Sequence, residues 1–326
     1  MHLSPKGLLF SIYYNFLAAI GIPANLTVIV ILYRRRCGLS GCIVYYVVSM
    51  ALADLLIIVG NVIINRIAGI YFPFSFLSIT PICSLRIVLI YSVIDSSAWL
   101  TVAFTFDRFV AICCQKLKIK YCTELTATWV IGSVCMLSCF KNAFLYFIFE
   151  PSYIISNVPW FCVPKLAFST TQAWAAYDLS RSILAPCLPF TLIILLNALT
   201  VRHILAASQA RRRLRTPSNG ENKSDPEMEK RKKSIILLFG ISGSFVLLYS
   251  VFFVTVLYVR IAKVAYYSVA DYNKSSFILE ETGYMLQFLS SCINPFIYAG
   301  VQNKFRDELK NGLKYPPRLL VKLLKS

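Results

Sequence analysis

Seven apolar segments, each long enough to cross a bilayer, occupy almost the whole chain and leave little freedom for any other fold. A hydrocarbon core of about 30 Å takes about 20 apolar residues of α-helix to cross. Residues 7–33, 182–201, 234–259 and 282–303 carry no charged side chain. Residues 42–65, 82–113 and 125–149 are apolar but interrupted by one or a few ionisable residues. In lipid every backbone polar group must be satisfied within its own segment, which selects helices. The predicted fold is therefore all-α, a seven-helix membrane bundle with spans at about 7–33, 42–65, 82–113, 125–149, 173–207, 232–262 and 278–302. Residues 1–303 form one membrane domain in this reading. Residues 304–326 form a short amphipathic helix and a basic tail. The first span follows only a few residues and is too long for a cleavable leader, so it is expected to act as an uncleaved signal-anchor.

Placement of charge sets the expected orientation. The chain carries 33 Lys and Arg against 15 Asp and Glu, a formal net charge of +18. Of those 33 cations, 24 lie at Arg34–Arg36, from Arg108 to Lys120, from Arg202 to Lys233, or from Lys304 onward. The positive-inside rule places these stretches in the cytoplasm and the N-terminus outside. Such clusters suit anionic inner-leaflet lipids. A nucleic-acid partner is not expected, because the cations gather at segment ends that face one side. Of the eleven cysteines, Cys83 and Cys162 are the two expected near the outer face, where oxidation is permitted.

Two connections are long. Residues 150–171 lie outside in this orientation and hold Trp160, Phe161, Cys162 and Pro164. Residues 211–233 lie inside, with a polar Pro/Gly-bearing centre between two basic runs. No internal repeat is visible. After the last span, Phe305 and Leu309 stand four apart on one helical face, as a surface helix requires.

Two motifs carry the functional reading. Asp107-Arg108-Phe109 closes the third segment, and Asn294-Pro295-Phe296-Ile297-Tyr298 closes the seventh. Cys83 precedes Arg108 by 25 residues, about 37 Å of helix, or one membrane crossing. On these features the chain resembles the rhodopsin-like family of G-protein-coupled receptors. Within it, residues 105–118 and 184–190 look most like the orphan branch typified by the probable G-protein coupled receptor 139.

The resemblance implies a set of roles. Asp107, Arg108, Asn294, Pro295 and Tyr298 would form the coupling switch, with Arg108 held by Asp107 at rest and released toward a heterotrimeric G protein. Cys83 and Cys162 would form a disulfide. Asn25, Asp54, Ser97, Ser291 and Asn294 would surround a sodium ion and water; the alternative is a protonated Asp54 in a helix–helix hydrogen bond. The branch implies aromatic amino acids or related peptides as ligands, and the Gq class as transducer.

Departures from the family pattern put its ordinary switch in doubt. Tyr249 stands where a tryptophan is usual, Val251 where a proline is usual, and Asn197 where a tyrosine is usual. No acid opens the sixth span to latch Arg108; Glu227 and Glu229 lie just upstream. The ligand cleft is expected from Arg86, Ile90, Tyr91, Ile94 and Asp95 in span three, Tyr177 and Arg181 in span five, and Tyr249, Phe252, Phe253, Tyr284 and Gln287 in spans six and seven. Ile90 replaces the aspartate of amine receptors, and span seven has no lysine for retinal. Asp95 and Arg181 either pair with one another or form a polar floor for a zwitterionic or peptide-like ligand.

An enzyme is not expected. His2 and His203 are the only histidines and lie near the membrane edges, so no intramembrane metal cluster suggests itself. The expected function is conversion of extracellular ligand binding into G-protein activation at the plasma membrane. Rival readings are a receptor-like protein with little signalling and a polytopic transporter, although transporters usually show repeated halves.

Overall fold

The computed structural model describes residues 5–34, 37–167, 171–214, 226–261 and 275–312. Its long helices are α1 (Pro5–Arg34), α2 (Gly41–Tyr71), α3 (Thr80–Cys113), α5 (Glu124–Ala143), α6 (Gln172–Leu214), α7 (Pro226–Ile261) and α8 (Ser275–Val301). A short helix α4 (Gln115–Tyr121) lies between α3 and α5. Residues 303–312 form α9. Six of the long helices are apolar enough to cross a membrane. The seventh, α8, packs against α1, α2 and α7 and carries two buried acids, Glu280 and Glu281. Seven long helices thus make the bundle expected from the apolar segments. The polar centre of the 211–233 connection falls outside the described residues, as does the tail beyond residue 312.

Sequence explains the helix starts and the outward faces. Pro81 sits in the first turn of α3, where a missing N–H costs nothing. Thr123 caps α5 by accepting from the Thr126 N–H at 3.1 Å. Trp129, Met136, Leu137 and Phe140 of α5 point outward, as a lipid-facing surface requires. Polar side chains point inward instead, among them Asn25, Asp54, Asp95, Asp107, Asn142, Ser242 and Asn294. Lipid offers them no partner, so the bundle interior must.

Three apolar cores hold the bundle. At the Arg108 end, Leu32, Tyr46, Phe104, Leu237, Ile241 and Tyr298 meet, and Phe305 anchors α9 there. At the Cys83 end, Tyr14, Leu17, Ile58 and Phe288 join α1, α2 and α8. Between α3, α6 and α7 lie Ala98, Val102, Ile193, Phe245 and Tyr249. A Cβ on Gly283 would stand 3.1 Å from the Phe252 Cα, so the glycine lets α8 approach the backbone of α7.

Two local features shape the Cys83 end. Residues Ile58–Ile67 of α2 wind as a π-helix. A connection between α5 and α6 forms short antiparallel strands, β1 (Phe149–Glu150) with β4 (Val163–Pro164) and β2 (Tyr153–Ile155) with β3 (Val158–Trp160). The β2–β3 turn places Ser156 and Asn157 at φ 50° and 62°. Left-handed residues in a two-residue turn match the right-handed twist of a hairpin.

Candidate functional site

A cavity of about 740 Å³ opens within the helices at the Cys83 end. The hairpin connection roofs it. Cys162 is bonded to Cys83, whose Cα lies 6.1 Å away. The Thr80 hydroxyl donates to the Phe161 carbonyl at 2.6 Å, and the Phe161 N–H donates to the Ser78 carbonyl at 2.6 Å. Phe74 meets the Trp160 and Phe161 rings edge-on. Phe161, Cys162 and Pro164 then face the cavity.

Every side chain expected in the ligand cleft lines this cavity except Tyr177. The Tyr177 hydroxyl instead donates to the Lys141 carbonyl at 3.0 Å, tying α6 to α5. Tyr249 stacks on Phe245 with ring centroids 4.0 Å apart, and Phe252 and Tyr284 meet at 5.3 Å. Phe253 stacks on Phe190 at 4.6 Å.

Asp95 and Arg181 do not pair. Asp95 takes Lys141 Nζ of α5 at 2.6 Å and accepts from Asn142 Nδ2 at 2.6 Å. Arg181 reaches Asp178, one turn away on its own helix, at 3.4 Å, and lies 4.7 Å over the Tyr91 ring. Each charge meets a nearer partner, so a direct α3–α6 bridge is lost to α3–α5 and intrahelical contacts. Exchanging Asp95 and Arg181 is therefore expected to restore nothing. Exchanging Asp95 with Lys141 should recover part of the roughly 5 °C loss in melting temperature expected of either single change. Thermal unfolding of the purified variants decides between the two pairings.

A further cluster was not anticipated. Arg66 Nη2 pairs with Glu281 Oε2 at 3.1 Å, Glu281 also accepts from the Tyr14 hydroxyl, and the guanidinium lies over the Tyr14 and Tyr284 rings at 5.7 and 5.3 Å. It joins α1, α2 and α8. Opposite charges near the ends of two apolar segments were the available signal.

In the bundle centre, Asp54 accepts from Ser97 Oγ at 3.1 Å and Asn294 Nδ2 at 2.8 Å, with Ser291 also hydrogen-bonded to it. Asn25 donates to the Ser291 carbonyl at 2.9 Å, and its Oδ1 is buried without a partner. All five predicted residues thus converge on one carboxylate or its immediate neighbours.

At the opposite end, Arg108 donates through Nε to Asp107 Oδ2 at 2.9 Å and through Nη2 to the same oxygen. Its Nη1 donates to Ser234 Oγ of α7 at 3.3 Å. Cys42 Sγ also donates to Asp107, at 3.0 Å. Nearby, burial pushes the Cys122 thiol up to about 12, and the Asp107 charge adds to the effect. The α3–α7 contact is thus a hydroxyl where an acid is usual. The side chains of Glu227 and Glu229 fall outside the described residues. Asn197 and Ser242 form a second α6–α7 contact, with Asn197 Nδ2 donating to Ser242 Oγ at 2.8 Å. Tyr298 is buried in the same core, its hydroxyl without a partner among the described residues, and Pro295 lies inside α8.

Sequence-family comparison agrees with this arrangement. The model of the seven-transmembrane receptors of the rhodopsin family matches residues 24–298, and the chain belongs to that family. It is a multi-pass membrane receptor of the G-protein-coupled type and not an enzyme. The chain is also similar to the sex peptide receptor of Drosophila melanogaster, 22% identical over 320 residues, covering 90% of this chain and 70% of the relative.

Proposed function

We propose that this receptor sits in the plasma membrane with its N-terminus outside, binds a small extracellular ligand in the 740 Å³ cavity, and activates a heterotrimeric G protein from the Arg108 end. The observation that carries this reading is the pairing of a roofed cavity at one end of α3 with a buried, latched arginine at the other. Ligand contacts that favour a rearranged bundle would shift the latch equilibrium. The aromatic lining suits an aromatic amino acid or short peptide, and the Gq class is the transducer we favour. The Drosophila relative is named for a peptide, which supports a peptide-like ligand.

The centre fits a monovalent cation. Asp54 brings one carboxylate, Ser97 and Ser291 bring hydroxyls, and Asn25 Oδ1 is a buried oxygen without a partner. These are hard oxygen donors with a single negative charge, which suits sodium. Asp54, Ser97, Ser291, Asn294 and Asn25 would hold it; the ion would supply charge compensation for Asp54.

A second reading, a receptor-like protein with little signalling, is favoured by one observation. The Asn197–Ser242 contact binds α6 to α7, and α7 has no interior proline at which to bend. G-protein dissociation in living cells, measured across the main classes with a panel of aromatic amino acids, decides between the readings. A signal lost in Arg108→Ala supports the receptor; silence at proven surface expression supports the second reading. The latch itself makes a separate prediction. Ser234→Ala should raise basal G-protein activity about fivefold, the shift that follows from losing one hydrogen bond of about 1 kcal/mol. Unchanged basal activity would show that Ser234 does not hold the resting state.

A further inference from the structure

Among the described residues five charged side chains line the cavity, namely Arg66, Arg86, Asp95, Asp178 and Arg181. Four have counter-charges: Arg66 with Glu281, Asp95 with Lys141, and Asp178 with Arg181. Arg86 has none among the described residues. Its Nη1 donates to the Ile64 carbonyl at 3.2 Å and its Nη2 lies 3.7 Å from the Cys83 sulfur. Its Nε is buried and has no partner. A guanidinium placed in a membrane bundle without an opposing charge is costly.

A second donor stands on the same wall. Asn61 is 4% exposed, lines the cavity, and its Nδ2 is buried with no acceptor. The π-helical winding of α2 explains the grouping. With more than four residues per turn, Asn61, Asn65 and Arg66 come round to one face. The Ile64 carbonyl that receives Arg86 belongs to the same stretch. On the α8 wall the imbalance reverses, because Gln287 is 2% exposed and its Oε1 lacks a donor.

From this distribution we infer that the cavity takes a ligand bearing a carboxylate, anchored by Arg86 with Asn61 beside it, and a hydrogen-bond donor that meets Gln287. The inference rests on the cavity being the ligand site of the proposed receptor. Nε has no partner and Nη2 meets only the Cys83 sulfur, so the Nε–Nη2 fork is the edge without an oxygen acceptor, and its two parallel N–H groups match the two oxygens of a planar carboxylate. A phosphate dianion would bring about two charges against one uncompensated cation. The body of the ligand lies against Ile90, Ile94, Phe252, Tyr284 and Phe288 and is apolar or aromatic. The anion site therefore moves away from Arg181, whose Asp178 already answers its charge.

The test uses the purified full-length receptor and thermal unfolding at millimolar ligand. Probes are L-phenylalanine, L-tryptophan and 3-phenylpropanoate as acids, the two amino-acid amides, phenethylamine and tryptamine without the acid, and phenyl phosphate. We expect the acids to stabilise the receptor and the amides and amines to bind about tenfold more weakly or not at all. Arg86→Gln should remove that difference, Arg86→Lys should keep part of it, and Arg181→Gln should keep it. Equal binding of amines or amides, an unchanged preference in Arg86→Gln, stronger binding of phenyl phosphate, or no stabilisation by any acid would each overturn the inference. Acid binding without G-protein dissociation in cells would leave this site standing and remove the signalling reading. Signalling driven by an amine alone would do the reverse.

Discussion

Arg108→Ala is expected to reduce G-protein activation about hundredfold or more while the protein still reaches the cell surface. Arg108 is 4% exposed and makes three hydrogen bonds, two to Asp107 and one to Ser234. Charge-assisted bonds of this kind are worth about 1.5–3 kcal/mol each. In the proposed active state those donors turn to the G protein, and alanine offers none. The variant also leaves Asp107 buried with weak thiol donors, Cys42 among them, in place of the guanidinium. An uncompensated buried carboxylate is itself destabilising and lowers expression. The double variant Asp107→Asn with Arg108→Ala removes that charge. If the double variant is expressed normally and still signals like wild type, the role given to Arg108 is wrong.

Breaking the disulfide is expected to have the next largest effect. Cys83→Ser and Cys162→Ser should each weaken the ligand response at least about tenfold, and the double variant should be no worse than either. The bond joins residues 79 apart and pins the cavity roof to the start of α3. For a free chain, closing a loop of that size is worth about 4–5 kcal/mol. Spans already held in the bilayer reduce that figure, because they cannot explore an unfolded coil. The remaining effect is on the roof, whose other ties include Thr80 and Ser78 to Phe161, the Ile79–Trp160 backbone bridge and the Phe74 ring contacts. Unequal or additive losses, read from dose–response curves at matched expression, would argue that the two thiols act separately.

Much of the switch was legible because its parts are local. Asp107 and Arg108 are adjacent, so one helix end brings them together whatever the bundle does. The Asp54 cluster was legible only through family resemblance, since its members come from four helices. The resemblance also anticipated the Cys83–Cys162 bond. By contrast, Ser234 as the partner of Arg108 was missed. An acid was sought at the start of α7, and a hydroxyl does the work at 3.3 Å.

The ligand cavity shows the limit more clearly. Its lining was mostly foreseen, because apolar segments of known direction must turn certain residues toward a common centre. Its electrostatics were not. Asp95 and Arg181 were the evident opposite charges, yet Lys141 and Asp178 reached them first. Arg66, paired with Glu281, was not singled out at all. The π-helical stretch that presents Asn61 and Arg66 has no marker in the residues themselves.

The sequence alone determined that the chain folds as a bundle of long apolar helices, because hydropathy is a sum over neighbouring residues and lipid admits only hydrogen-bonded helices. It also determined which residues sit at which depth, because rise per residue is constant. Only the tertiary structure decided which charges meet. Pairing depends on the rotation and separation of helices far apart in the chain, and an ångström or two there selects Lys141 over Arg181 for Asp95 and leaves Arg86 facing the cavity without a counter-charge among the described residues.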